Sequence, residues 1–179
     1  MARLQQFRVV AMSSGASKKR DNSGEFARII QKLAGTRVMV GIPGDSAKRV
    51  DATTGEVSPI NNAAIGYVLE KGSPAANIPP RPFLVPGVED SLDGVQDSLR
   101  KAGAAALNGD AAAADRGFHA AGIRAQTSVK RKMSTNVPPK LKESTLAARR
   151  RRGVTRTETL VDTGNLQNHI TYVVRKKRG

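Results

Sequence analysis

The sequence predicts an α+β protein, α/β-like in its mixture of elements, in which an antiparallel or mixed sheet packs against helices. Two patterns indicate this class. Apolar residues recur every three or four positions from Val88 to Ala106, as in an amphipathic helix, whereas β-branched residues bounded by glycine and proline fill 37–42. With 179 residues the chain is long enough for one domain with its own core, so we expect these elements to form a single unit.

Charge and composition divide the chain into three regions. We expect a flexible basic arm at 1–24, a single α+β domain at 25–174 and a basic tail at 175–179. The second half of the arm is small, polar and basic without periodicity, which is typical of a linker. The three regions therefore predict one folded body with two basic extensions.

The domain opens with a predicted helix, strand and loop. Residues 25–33 carry apolar side chains at helical spacing, and 37–42 have the composition of a strand. Residues 43–59 are rich in Gly, Asp, Thr and Ser, so they predict a loop or an exposed hairpin. We expect this loop to contact a neighbouring subunit.

A second helix is predicted at 61–71, where four apolar residues share one face. Asn61 or Asn62 is its candidate N-cap and Gly72 its stop. Residues 74–86 then hold five of the nine prolines, which predicts an extended segment outside any sheet.

Two longer helices follow and are predicted to pair. The first begins at Pro86 and carries several acids away from its apolar face. Residues 108–110 interrupt the pattern, and Asp110 is a candidate cap for a second helix, which Val137-Pro138-Pro139 is expected to end. The short connection and the small residues on the second helix favour a close antiparallel hairpin.

The last third predicts a basic helix, a short helical turn and a strand. Residues 142–152 have helical composition with little apolar face, and 170–175 alternate as a strand does. Between them, Asp162 or Thr163 is expected to cap a short helical turn that ends at Ile170.

Net charge points to anionic partners. The formal charge is +15, and it is uneven: 140–179 hold eleven Lys and Arg against three acids, whereas 86–115 hold two against six. There is no Cys, and no apolar stretch has the length of a signal peptide or a membrane span. We expect a soluble protein of a reducing cytoplasm, without membrane contact.

Catalytic and metal sites are not expected, and neither is a cofactor. His119 and His169 lie far apart without the flanking residues of a zinc site or triad. The one catalytic alternative is an aspartic protease, because Asp162-Thr163-Gly164 follows two apolar residues as it does in that class. Its position late in a largely helical chain argues against this alternative.

A basic DNA-binding or packaging protein is the other alternative. The basic tracts of the chain could neutralise DNA phosphates or bind acidic protein surfaces, and the sequence leaves both possibilities open. The candidate contacts are Arg149, Arg150, Arg151, Arg152, Lys176 and Lys177.

Three blocks in order resemble the tail-completion and virion morphogenesis proteins of long-tailed bacteriophages. They are Val38-Met39-Val40-Gly41-Ile42 with Ala64-Ile65-Gly66-Tyr67-Val68-Leu69-Glu70-Lys71-Gly72, then Ile78-Pro79-Pro80-Arg81-Pro82-Phe83-Leu84, and last Leu160-Val161-Asp162-Thr163-Gly164-Asn165-Leu166. The likeness spans most of 37–174. The residues on which it depends most are Gly41, Ile42, Glu70, Gly72, Pro80, Arg81, Pro82, Phe83, Leu84, Asp162, Thr163, Gly164 and Leu166.

The resemblance implies a structural protein and not an enzyme. It implies a fold related to tail terminators and a homo-oligomeric ring, with six subunits expected, in the virion neck after assembly in the host cytoplasm. Its partners would be the connector or stopper and the tail tube, with non-specific contact to genomic DNA in the channel. We expect the acidic helix beginning at Pro86 to face that channel and repel DNA.

Overall fold

The computed structural model describes residues 22–44, 55, 57 and 60–176 of the 179. These residues form two strands, one 3-10 turn (Pro74–Ala76) and seven α-helices, which confirms the predicted α+β class. In chain order the elements are α1 (Ser23–Ala34), β1 (Thr36–Gly41), α2 (Asn62–Lys71), α3 (Leu84–Glu89), α4 (Leu92–Leu107), α5 (Ala111–Met133), α6 (Glu143–Arg151), α7 (Asn165–Asn168) and β2 (Thr171–Lys176).

The sheet joins two strands from opposite ends of the described chain. β1 and β2 run antiparallel, with Thr36 opposite Lys176, and both predicted strands are confirmed to within one residue. The sheet packs on α5. Gly122 of α5 is needed there, because a Cβ at this position would overlap the ring of Tyr172.

The predicted helical hairpin is confirmed by α4 and α5. Asp110 caps α5, since its Oδ1 accepts the Ala113 N–H at 2.8 Å. Small residues bring the helices close: a Cβ added to Gly117 would lie 2.7 Å from the Cβ of Ala102. α4 and α5 make the most extensive contact between two helices in the described chain.

The helix predicted to begin at Pro86 is not continuous. The segment that was expected to run from Pro86 forms two helices, α3 and α4, which are separated at Asp90 and Ser91. The Ser91 hydroxyl donates to the Val88 carbonyl at 2.7 Å and so occupies an acceptor at the end of α3. Pro86 is tolerated because it lies in the first turn of α3, where the backbone N–H groups have no partner within the helix.

The proline-rich segment is not extended throughout, contrary to expectation. Ser73 and Ile78 pair as an isolated antiparallel bridge around the 3-10 turn, and Asn77 closes that turn with a left-handed backbone. Beyond Pro82 the chain enters α3. The prolines therefore begin and flank turns as well as extended chain.

The structure describes only the edges of the two predicted basic extensions. α1 begins at Ser23, inside the segment expected to be a basic arm, and β2 continues through Lys176, inside the expected tail. Most of the arm, most of the loop 43–59 and the last three residues lie outside the described residues.

The core lies between α5, the start of α3 and the last third of the chain. Its hydrophobic cluster consists of Phe83, Val129, Met133, Val137, Leu160, Val161, Leu166 and Ile170. Half-buried side chains from β1, α2 and α3 pack against it. A Cβ added to Gly87 would lie 2.7 Å from the Val129 backbone, so α3 approaches α5 as closely as its glycine allows.

Candidate functional site

The sequence blocks that carry the phage resemblance meet at Gly66 of α2. A Cβ placed on Gly66 would lie 2.8 Å from Ile42 Cδ1, 3.8 Å from Leu166 Cδ1 and 3.9 Å from Phe83 Cζ. Phe83 and Leu166 are buried. One side chain from each block thus surrounds this position, and Ile42 would have to shift to admit a Cβ. We call these four residues the motif cluster.

Glu70 connects the first block to the second through backbone hydrogen bonds. Its carboxylate accepts the N–H groups of Phe83 (2.7 Å), Leu84 (2.9 Å) and Val85 (3.1 Å). These donors lie at the start of α3 and have no partner within the helix. A carboxylate at this position also interacts favourably with the positive end of the helix dipole. Glu70 therefore fixes where α3 begins.

Gly72 and Arg81 hold the chain between α2 and α3. Gly72 has a φ of 78°, and a Cβ there would lie 2.9 Å from the Pro80 nitrogen. The backbone N–H of Arg81 donates to the Leu69 carbonyl at 2.7 Å, and its buried guanidinium donates through Nε to the Pro139 carbonyl at 2.9 Å. Arg81 is therefore a structural link to the segment after α5.

The other motif residues of the first two blocks have plainer positions. Gly41 ends β1, and a Cβ there would meet nothing within 4 Å, so packing does not require glycine. Pro80 and Pro82 are exposed on either side of buried Arg81, and half-buried Leu84 packs against the core.

The predicted capping of the short helical turn by Asp162 or Thr163 is wrong, because Gly164 is its N-cap; Asp162 has a different role. Its carboxylate faces two arginines, with Arg149 Nε at 3.4 Å and Arg152 Nη2 at 3.1 Å. Thr163 Oγ1 accepts a long hydrogen bond, 3.4 Å, from the Asn165 N–H, while Gly164 occupies the N-cap position of α7 with a φ of 86°. The Asp-Thr-Gly segment thus joins α6 to α7.

Arg149 is misassigned as a contact to DNA, because it is buried. Its Nη1 donates to the carbonyls of Arg156 (3.2 Å), Glu158 (2.8 Å) and Val161 (3.1 Å). With Asp162 on Nε, the guanidinium holds the turn from 153 to 161 in place and is only 6% exposed. No phosphate can reach it without breaking these bonds.

The remaining basic candidates lie at the surface. Arg150, Arg151 and Arg152 are exposed, and Arg152 is engaged by Asp162. Lys176 pairs with Asp115 of α5 at 2.7 Å, while Lys177 lies outside the described residues. The Lys176 ammonium, through its hydrogen bond and its charge, lowers the pKa of the Asp115 carboxyl below its ordinary value. Arg150 also lies 3.9 Å from Glu143, so Arg151 is the exposed arginine of this set that has no ion pair among the described residues.

The two histidines have separate partners, and His119 Nε2 also lies 3.8 Å from Asp115. His119 Nδ1 lies 3.1 Å from the Tyr172 hydroxyl, and His169 Nδ1 lies 2.8 Å from the Asn165 carbonyl. Within the described residues, no group of three or more His, Cys, Asp or Glu is placed to hold a metal ion. Asp162 is bonded to arginines, whereas an aspartic protease needs a second carboxylate beside it.

Sequence reasoning missed Asn62. Asn61 is the N-cap of α2, since its Oδ1 accepts the Ala64 N–H at 2.8 Å, and the neighbouring Asn62 turns inward and is completely buried. Its Nδ2 donates to Asn165 Oδ1 at 2.8 Å, which connects α2 to α7. The pair of adjacent asparagines could have indicated this role, because only one of them can cap the helix and the other must have a different partner.

Comparisons with protein-family models, curated proteins and solved structures give no match to this chain. In the described part of the chain, no helix has the length and apolar character to cross a membrane.

Proposed function

We propose that this protein is a structural subunit of a bacteriophage neck, which completes or terminates the tail and joins it to the DNA-filled head as part of a homo-oligomeric ring. The observation that carries the proposal is the motif cluster. Ile42, Gly66, Phe83 and Leu166 come from blocks far apart in sequence and pack around one point. The blocks that resemble the phage family therefore act as one structural unit.

The chemistry of the motif residues supports a scaffold role. Glu70 binds three backbone N–H groups, and Arg81 binds a backbone carbonyl. Asp162 holds two arginines at the C-terminal end of α6, Arg149 and Arg152. Because these polar side chains are committed to fixing the backbone, the surfaces that meet other proteins lie elsewhere on the subunit.

Two exposed surfaces suit assembly in a ring. Tyr67 on α2 is 67% exposed and Val85 on α3 is 52% exposed, and large apolar side chains at the surface favour contact with another protein. On α3 and α4, Glu89, Asp93 and Asp97 are exposed acids. We propose that the apolar surface contacts neighbouring subunits, and that the acidic one faces the channel and repels DNA.

Locating the chain in the particle tests the proposal. We expect antibodies against the purified protein to label the head-to-tail junction of the phage that encodes it. Image averaging of that junction would then give the ring symmetry and the lining of its channel. Label on the capsid or tail tip would contradict the neck assignment, and a channel lined by Arg150 and Arg151 would contradict the proposed orientation.

A basic DNA-binding protein is the second candidate, and the exposed Arg150 and Arg151 favour it. Titration of the purified chain with duplex DNA over a range of salt separates the two. A DNA-binding protein would lose affinity steeply as salt rises, and Arg150→Gln with Arg151→Gln would reduce the slope by about two. Binding that is weak at low salt and insensitive to these substitutions would leave the neck role as the better explanation.

A further inference from the structure

A groove lies between α5 and the corner where α3 meets α4. It has a volume of about 340 Å³, at the lower end of the roughly 300–1,000 Å³ of small-molecule sites. α5 contributes Arg124, Thr127, Ser128 and Arg131, which recur every three or four residues and so share one face. Asp90 and Ser91 form the opposite side.

Two cations of this groove have no ion-pair partner among the described residues. Neither Arg124 nor Arg131 forms a salt bridge there, whereas Asp90 is already paired with Lys132 at 3.1 Å. The groove therefore carries two uncompensated guanidinium groups. Arginine presents several N–H donors in a fixed plane, which suits the oxygens of phosphate.

A buried hydroxyl in the groove also lacks a partner. Ser128 is 6% exposed, and its Oγ forms no hydrogen bond. A buried polar group without a partner is uncommon and costs stability. Because the Oγ has almost no accessible surface, Ser128 lies beneath the groove between Arg124 and Arg131, where its backbone amide can report binding.

The α4 backbone helps to place Arg124. A Cβ added to Gly94 would lie 3.4 Å from Arg124 Nη1 and 3.5 Å from its Cδ, so the arginine side chain lies across the glycine. The long side chain thus rests on α4 and stays beside the groove.

We propose that this groove binds a phosphate-type oxyanion through Arg124 and Arg131. The proposal is independent of the neck role. Exposed Glu89 and Asp93 lie next in sequence to the α3–α4 side of the groove and disfavour a long polyanion. The chemistry therefore fits a small phosphate better than the backbone of a duplex.

Inorganic phosphate titrated into the isotope-labelled full chain, at ionic strength held constant with chloride, tests the site by NMR. We expect saturable shifts of the Ser128 amide and of the Arg124 and Arg131 side-chain signals, with a Kd on the order of 1 mM. Absence of saturation, or shifts spread over the basic surface, would overturn the proposal.

Matched variants separate the groove from general attraction to a basic protein. Arg124→Gln should weaken phosphate binding about tenfold, whereas Arg116→Gln, an exposed arginine on α5 outside the groove, removes the same charge and should change it less than twofold. Equal loss in both variants would refute the site.

A short DNA duplex in the same titration identifies the source of the phosphate. Shifts in the groove with inorganic phosphate alone support a small ligand, as we expect. Shifts at the same residues with the duplex, abolished by Arg124→Gln and kept in Arg116→Gln, support the same groove with a phosphodiester as its ligand. Duplex binding that leaves the groove signals unchanged, together with no phosphate binding, would eliminate it.

Discussion

The motif-bearing region and the helical hairpin are held together by different interactions. Around the motif cluster, charged side chains such as Glu70, Arg81 and Arg149 bind backbone groups directly. In the α4–α5 hairpin, the contacts are between small apolar residues such as Gly117 and Ala102, and the charges face outward. The first region depends on the identity of its polar residues, and the second on the size of its buried ones.

Arg149 should show the largest effect, and its neighbour provides the control. Arg149→Ala leaves three carbonyls and Asp162 without their buried cation, so we expect the free energy of unfolding to fall by about 3–5 kcal/mol. Arg151 lies two residues further along α6 and is exposed, so Arg151→Ala should change the free energy of unfolding by less than about 0.5 kcal/mol. Chemical denaturation measures both, and equal effects would contradict the structural role of Arg149.

The hairpin should respond to size. Gly117→Ala places a methyl group 2.7 Å from the Ala102 Cβ, and we expect a loss of about 2 kcal/mol from overpacking. Ala102→Gly removes the opposing methyl group, so combining the two substitutions should recover part of that loss. A double-mutant cycle by thermal unfolding measures the coupling, and strict additivity would show that the helices do not meet there.

Glu70 should show a smaller effect that depends on its charge. Glu70→Ala removes the acceptor of three N–H groups at the start of α3, and we expect a loss of about 1–2 kcal/mol. Glu70→Gln keeps one acceptor oxygen and should lose less. Hydrogen exchange of the Phe83, Leu84 and Val85 amides is the direct measurement, since faster exchange in Glu70→Ala is required if the carboxylate protects them.

Loss of the ion pair between Asp115 of α5 and Lys176 of β2 should have the smallest effect. Because Lys176 lowers the carboxyl pKa in the folded protein, the pair contributes stability above the ordinary pKa of about 3.8, and this is lost as pH falls through the lowered folded value. The exposed pair is screened by solvent, so its effect is expected in titration more than in stability. NMR titration should place the Asp115 pKa higher in Lys176→Gln than in the parent protein.

Periodicity and caps predicted most of the elements, because those signals are local. Asp110 as the cap of α5 and the two strands follow from residues within one turn or one strand. The division of α3 from α4 was missed, since it depends on one Ser91 hydroxyl bond within an otherwise continuous apolar pattern.

The candidate site was harder to predict, because its residues contact partners that lie far away in the sequence. The four arginines from 149 to 152 look alike in sequence, and α6 has too little apolar face to show which of them turns inward. Arg149 is buried because carbonyls of the following turn and Asp162 surround it. Asn62 likewise reaches Asn165, a partner that no local pattern indicates.

The pairing of β1 with β2 has a consequence for how the protein is made. The α4–α5 hairpin lies within one continuous segment, 92–133, and can form while the chain is still on the ribosome. The motif cluster and the sheet need Leu166 and residues up to Lys176, so they close only after those residues have been synthesised. Until then one edge of β1 and the apolar surface around Phe83 are uncovered, which makes premature termination before residue 171 a route to aggregation.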